Sequence, residues 1–151
     1  MAFALKSPGF ADQTRMPDTY TGMGDNLSPV LSWSDPPPGT MSFALVMDDP
    51  DAPMGTFTHW VLYNVPATLH ELPGALPARE VLDNVGRQLR NDAGRLGYPG
   101  PLPPPGKLHH YRFQLHALDR MLDPIKDKRQ LLEAMKGHVL GQALLTGLYQ
   151  R

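Results

Sequence analysis

Proline and glycine punctuate this chain so densely that no long run of regular helix is available to it. The 17 prolines and 14 glycines fall between short apolar blocks, in "SPGF", "SDPPPGT", "DDPDAP", "LPGALP" and "YPGPLPPPG". Each proline removes a backbone donor and fixes φ, and each glycine frees φ, so these segments end helices and build turns and rigid loops. The blocks between them have the length of strands. A β-rich fold follows. The rival for such a composition is disorder, and it is disfavoured because 41% of the residues are hydrophobic and lie in periodic blocks able to bury a core.

With 151 residues the chain is expected to form one domain, residues 1–151, burying roughly 70% of its unfolded surface. Lysine and arginine number 14 against 15 aspartates and glutamates, and no basic block exists to hold a polyanion, so nucleic acid is excluded as the expected partner. The absence of cysteine removes disulfides, thiolate zinc sites and a cysteine nucleophile together. The start, "MAFALKSPGF", carries no apolar run long enough for a signal peptide, and no window approaches the roughly 20 apolar residues of a membrane span. A cytoplasmic protein is the expectation.

Two segments read most clearly as strands. "MSFALVMDD" (41–49) is apolar on both faces, as a central strand should be, and "THWVLYNVP" (58–66) has the same character and stops at a proline. A third, from His109 to Leu118, alternates cleanly: His109, Tyr111, Phe113, Leu115 and Ala117 share one face, and His110, Arg112, Gln114 and His116 share the other, which is expected to be wet. Residues 1–40 read as short strands and loops packed over the sheet. Residues 67–97 read as loop with a short strand near 85–90. "DKRQLLEAMKGHVL" is the one helical pattern, with Asp127 and Gln130 spaced as a capping box and Leu131, Leu132, Met135 and Val139 as its apolar stripe. "QALLTGLYQ" closes the chain as a last strand.

The periodicity gathers polar residues at one edge. Counting by twos from Phe43 through Leu45 and Met47 reaches Asp49, and counting back from Val65 through Tyr63 and Val61 reaches His59. If these strands are antiparallel neighbours, Asp49 and His59 share a rim, and His109 and Tyr111 reach it when the third strand starts at the same edge. An aspartate, two histidines and a tyrosine suit an oxyanion pocket. Asp49 accepting from one histidine nitrogen is expected to leave the far nitrogen as a donor, with the tyrosine hydroxyl and an amide of Gly97 or Gly100 as further donors and no lysine or arginine needed. The proline-rich loop supplies a rim that loses little entropy on binding. Two histidines and a carboxylate could also form a facial metal site, but orientation of a histidine by aspartate explains the same residues without metal. No "GxSxG" elbow and no glycine-rich nucleotide loop is present.

The blocks "DDPDAP" (48–53), "HWVLYN" (59–64) and "GPLPPPGKLHHYRFQLHALD" (100–119), with "NLSPVLSW" (26–33) and "GHVLGQALLTGLYQR" at the end, resemble the phosphatidylethanolamine-binding protein family, and within it the bacterial Raf kinase inhibitor-like (YbhB/YbcL-type) branch. The resemblance spans most of the chain. It implies a mainly β fold, a large antiparallel sheet packed with a smaller sheet and a few helices. It also implies a pocket for phosphate-like head groups formed by Asp49, His59, His109 and Tyr111, with Asp51 and Pro103–Pro104 at the rim. The reading "GKLHHY" has one residue more before the histidine than many members, which implies a shifted loop. The close at Arg151 leads to the expectation of a small, open site without the C-terminal helix of larger eukaryotic members.

The expected function is a binding protein for phosphoryl or phospholipid-head-group-like anions, a possible regulator of a kinase or protease, needing no cofactor and no metal, with a homodimer as the guess for assembly. The alternative is a hydrolase acting on a small phosphoester or carboxylate substrate, with His59 or His109 as base. A defined nucleophile is missing for it, so an enzyme is the weaker expectation.

Overall fold

The computed structural model describes residues 2–151. Among them the strands are β1 (Ala4–Lys6), β2 (Thr14–Arg15), β3 (Leu31–Ser34), β4 (Ser42–Asp49), β5 (Phe57–Pro66), β6 (Glu71–Leu72), β7 (Val81–Leu82), β8 (Gly86–Leu89), β9 (His109–Leu118) and β10 (Val139–Tyr149), with one helix, α1 (Lys128–Met135). A seven-stranded sheet in the order β2-β10-β9-β4-β5-β8-β7 packs with a three-stranded sheet, β1-β3-β6. All pairs are antiparallel except β2, which runs parallel to the end of β10. The fold is mainly β with a large and a small sheet, as expected. No helix is long and apolar enough to cross a membrane.

The large sheet is buried on both faces at its centre, which is why β4 has no exposed residue among its eight, whereas β2 and one face of β10 are exposed. One face carries Phe43, Leu45, Met47, Trp60, Phe113 and Leu115, packed with Leu31 and Trp33 of the small sheet. The other carries Ala44, Val46, Val61 and Tyr63, roofed by Leu131 and Met135 of α1 together with Leu122 and Ile125. Each large side chain removed from water here contributes about 1.5–3 kcal/mol. The second layer is fastened by polar bonds: Asn64, at φ +55°, brackets Leu122 by donating to its carbonyl and accepting from its amide, and the Ile125 amide donates to the Tyr63 hydroxyl.

Three local expectations are corrected. The helix stops at Met135 rather than running on to residue 140, because Gly137 turns the chain at φ +78°; Val139 is exposed and begins β10 instead of ending the stripe, and Leu132 is exposed as well. The cap works as read at one end, Asp127 accepting from the Gln130 amide, but the Gln130 side chain reaches past it to the Lys126 amide. His116 is half-buried rather than wet, and burial lowers its pKa.

Candidate binding site

β4, β5 and β9 are adjacent, so the end of β4, the start of β5 and the start of β9 meet at one edge of the large sheet. There Asp49, His59, His109 and Tyr111 line the floor of a cleft of about 400 Å³, within the size range of small-molecule sites. Phe57, Leu102, Pro103 and Pro104 make much of its wall, and Gly100 and Arg95 also line it.

His59 is aimed into the cleft by a β-bulge. The pairing passes from Met47 opposite Trp60 to Asp48 opposite Thr58, which leaves His59 as the extra residue; such a bulge redirects one side chain without ending the ladder. A second irregularity lies at the other end of β5, between the Phe43–Val65 and Leu45–Leu62 pairs. Tyr63 and Val61 accordingly belong to the helix-side layer, while Val65 belongs to the layer between the sheets. Counting by twos from Val65 therefore crosses to the wrong face and is returned to the right one by the bulge at His59.

The two imidazoles are held alike. His59 Nδ1 donates to the carbonyl of Pro99 at 2.9 Å, and His109 Nδ1 donates to Asp49 Oδ2 at 2.6 Å. Asp49 Oδ1 accepts from the Asp51 amide at 2.8 Å, so the carboxylate is engaged on both oxygens and orients His109 from beneath. The rings of His59 and Tyr111 meet edge to face at 5.3 Å, those of His109 and Tyr111 stack at 6.3 Å, and Phe57 lies edge-on to His59 at 4.9 Å.

This geometry corrects the expected donor pattern. A neutral imidazole that donates through Nδ1 presents Nε2 as an acceptor; only the imidazolium donates from both nitrogens. Neither Nε2 has a partner among the described residues, and neither is sealed from solvent. Burial lowers the His59 pKa, against the opposing pull of the Pro99 carbonyl and the Asp49 charge, so that ring is neutral at pH 7. Burial, and then the Asp49 charge, raises the Tyr111 pKa, so its hydroxyl keeps its proton.

The proline-rich loop is fixed from below. Tyr98 donates to the Tyr20 carbonyl and stands edge-on against Trp60, the Gly22 amide donates to the Pro101 carbonyl, and the Gly100 amide donates to Asn26 Oδ1 at 2.7 Å. The Gly100 amide is thus committed and does not serve the cleft as an anion donor, and Gly97 lies outside the lining. A Cβ at Gly100 would stand 2.2 Å from the Tyr20 carbonyl oxygen. What the loop gives the site is a carbonyl, that of Pro99, and a stiff apolar rim.

Asp51 does not line the cleft. Its carboxylate accepts from the amide and from Nδ1 of His110, at 2.9 and 2.8 Å, on the opposite side of β9. Arg95 was not singled out from the sequence. It sits in "NDAGRLG", a segment without periodicity, and reaches the site through a long-range bond: the Thr58 amide, next to His59, donates to the Asp92 carboxylate. Among the described residues no group of three or more His, Asp or Glu is arranged to hold a metal ion.

Residues 6–150 match the family model described as phosphatidylethanolamine-binding protein. The chain belongs to that family. It is 48% identical to a UPF0098 protein of Methanothermobacter thermautotrophicus over 97% of this chain and 98% of that one. Among solved structures it is similar to the PEBP homologue CT736 of Chlamydia trachomatis, with a TM-score of 0.89 and 35% identity over 99% of this chain and 98% of that one. It is also similar to Escherichia coli YbcL, described as a new member of the mammalian PEBP family, with the same TM-score of 0.89 and 31% identity over 100% of this chain and 99% of that one. The chain is thus of the YbhB/YbcL type.

Proposed function

We propose that the chain is a binding protein whose cleft takes a small anionic group, phosphoryl or phospholipid-head-group-like, and that binding is linked to a proton. The observation that carries this reading is the pair of imidazoles whose Nδ1 atoms are already donating, to Pro99 and to Asp49. With Nδ1 committed, Nε2 hydrogen-bonds an anion only if a proton lies between them, brought by the ligand as a P–OH or taken up by the ring. A phosphomonoester, with its second pKa near about 6, can supply that proton. Affinity therefore rises as pH falls through the histidine range. A phosphorylated side chain of a kinase or protease carries the same phosphoryl chemistry, so a regulatory partner would use the same site.

Calorimetric titration of phosphate and phosphoethanolamine at about pH 6 and about pH 8 tests this. Tighter binding at the lower pH, lost in both His109→Gln and His59→Gln while both variants still unfold in one cooperative transition well above the titration temperature, is the expected result. Binding that survives both substitutions sinks the reading. The free Nε2 of neutral His59 also favours a second reading, a base for hydrolysis of a small phosphoester or carboxylate ester. Turnover of p-nitrophenyl phosphate or acetate that disappears in His59→Gln would establish it.

A further inference from the structure

Arg95 lines the cleft without taking part in holding it together. Its guanidinium is exposed and has no hydrogen bond or ion pair among the described residues. Its backbone, by contrast, is fixed. The buried Asn91 accepts from the amides of Ala93 and Arg95 at 2.8 and 3.1 Å, the Asn91 amide donates to the Arg95 carbonyl at 2.8 Å, and the Asp92 amide donates to the Thr58 carbonyl at 3.0 Å. The turn is thereby locked to the start of β5, beside His59. Other polar groups of this turn are committed, the Asp92 carboxylate to the Thr58 amide and Arg90 to the Gly94 carbonyl.

We propose that Arg95 sets the charge class of the ligand, favouring phosphomonoesters whose second group is anionic over zwitterionic ones. This rests on the anion-binding reading. Arg95 is the one lysine or arginine among the lining residues, and Asp49, the one carboxylate there, is buried and engaged on both oxygens. A phosphoryl group held at His59, His109 and Tyr111 leaves the rest of its molecule in the same cleft, which Ala93 and Arg95 of the 91–95 turn and the proline-rich loop also line. An anionic group there meets an unpaired planar guanidinium able to bind a carboxylate through two parallel bonds. An ammonium group there meets a like charge.

Phosphoglycolate and phosphoethanolamine are the probe pair, because they share the phosphoryl group and differ mainly in the charge of the second group. Calorimetry at about pH 7 in low salt is expected to give phosphoglycolate an advantage of about tenfold in Kd, shrinking as salt rises to about 0.5 M. Arg95→Gln should bring the ratio to near one with an unchanged melting temperature, since the side chain has no partner to lose, and Arg95→Lys should keep part of it. Equal affinities in the natural chain, or a preference that Arg95→Gln leaves intact, overturn the assignment of Arg95 while the anion site stands. If neither probe nor inorganic phosphate binds, the anion-binding reading itself is overturned.

Discussion

Two neighbouring histidines of β9 each meet one of two aspartates that flank Pro50, and the two pairs do different things. Asp49–His109, at 2.6 Å with side chains 4% and 3% exposed, lies on the face between the sheets and opens into the cleft; Asp51–His110, at 2.8 Å with 24% and 44% exposed, lies on the opposite face. The chemistry is the same. What separates them is the alternation of a strand, which sends consecutive side chains to opposite faces. Inside, a fixed imidazole with one free nitrogen faces the cleft and is the group to which the proposed anion binding is assigned. Outside, the same pair fastens the start of β9 to the loop after β4, because Asp51 also takes the His110 amide.

The contrast is broken most severely from the buried side. Asp49→Ala removes the acceptor of a buried histidine and of the Asp51 amide, and is expected to cost about 2–3 kcal/mol; chemical denaturation gives the number, and a loss below about 1 kcal/mol would show that the pair is not structural. Asp51→Ala is expected to cost only about 1 kcal/mol, since solvent screens that pair, and to leave phosphate binding intact. Loss of phosphate binding in Asp51→Ala would erase the distinction between the two faces.

Acid sharpens the same contrast. His59 and His116 have pKa values lowered by burial, so the unfolded chain takes up protons before the folded one does. Their neutral forms support full stability above about pH 6.5, and stability falls as pH drops through that value toward their folded pKa values. Asp51 behaves oppositely to an ordinary buried carboxylate: burial pushes its pKa up, but the bonds from His110 outweigh that and leave it lowered. Its contribution is present above about pH 4 and lost below. Denaturation midpoints measured from about pH 7 to pH 3 should therefore fall in two stages, with His59→Gln reducing the upper one and Asp51→Ala the lower; a single transition below about pH 4 would contradict the burial of the histidines.

The fold was legible where side-chain alternation is unbroken. β9 follows its pattern from His109 to Leu118 and β4 starts one residue later than read, at Ser42; the strand expected near 85–90 is β8, whereas the small sheet was implied only by the family resemblance, and its β6 lies in a segment read as loop. His59 was reached by a count that fails twice, because bulges are set by cross-strand register and leave no local mark in the sequence. Arg95 and the commitment of the Gly100 amide to Asn26 depend on contacts between segments far apart in the chain, which no window of residues contains. Helix α1 was read too long because the stripe continues to Val139, and Gly137 overrides it.

The most direct test of the proton-linked cleft uses sulfate, a phosphoryl-shaped dianion that carries no proton of its own in the neutral range. Because neither Nδ1 is free, the imidazole rings can bond sulfate only after Nε2 is protonated. Titrated calorimetrically from about pH 5.5 to about pH 8.5, sulfate is expected to weaken steadily through the histidine range, with proton uptake detected as a dependence of the heat on the buffer. A constant affinity across that range, with no proton exchanged, would contradict the account.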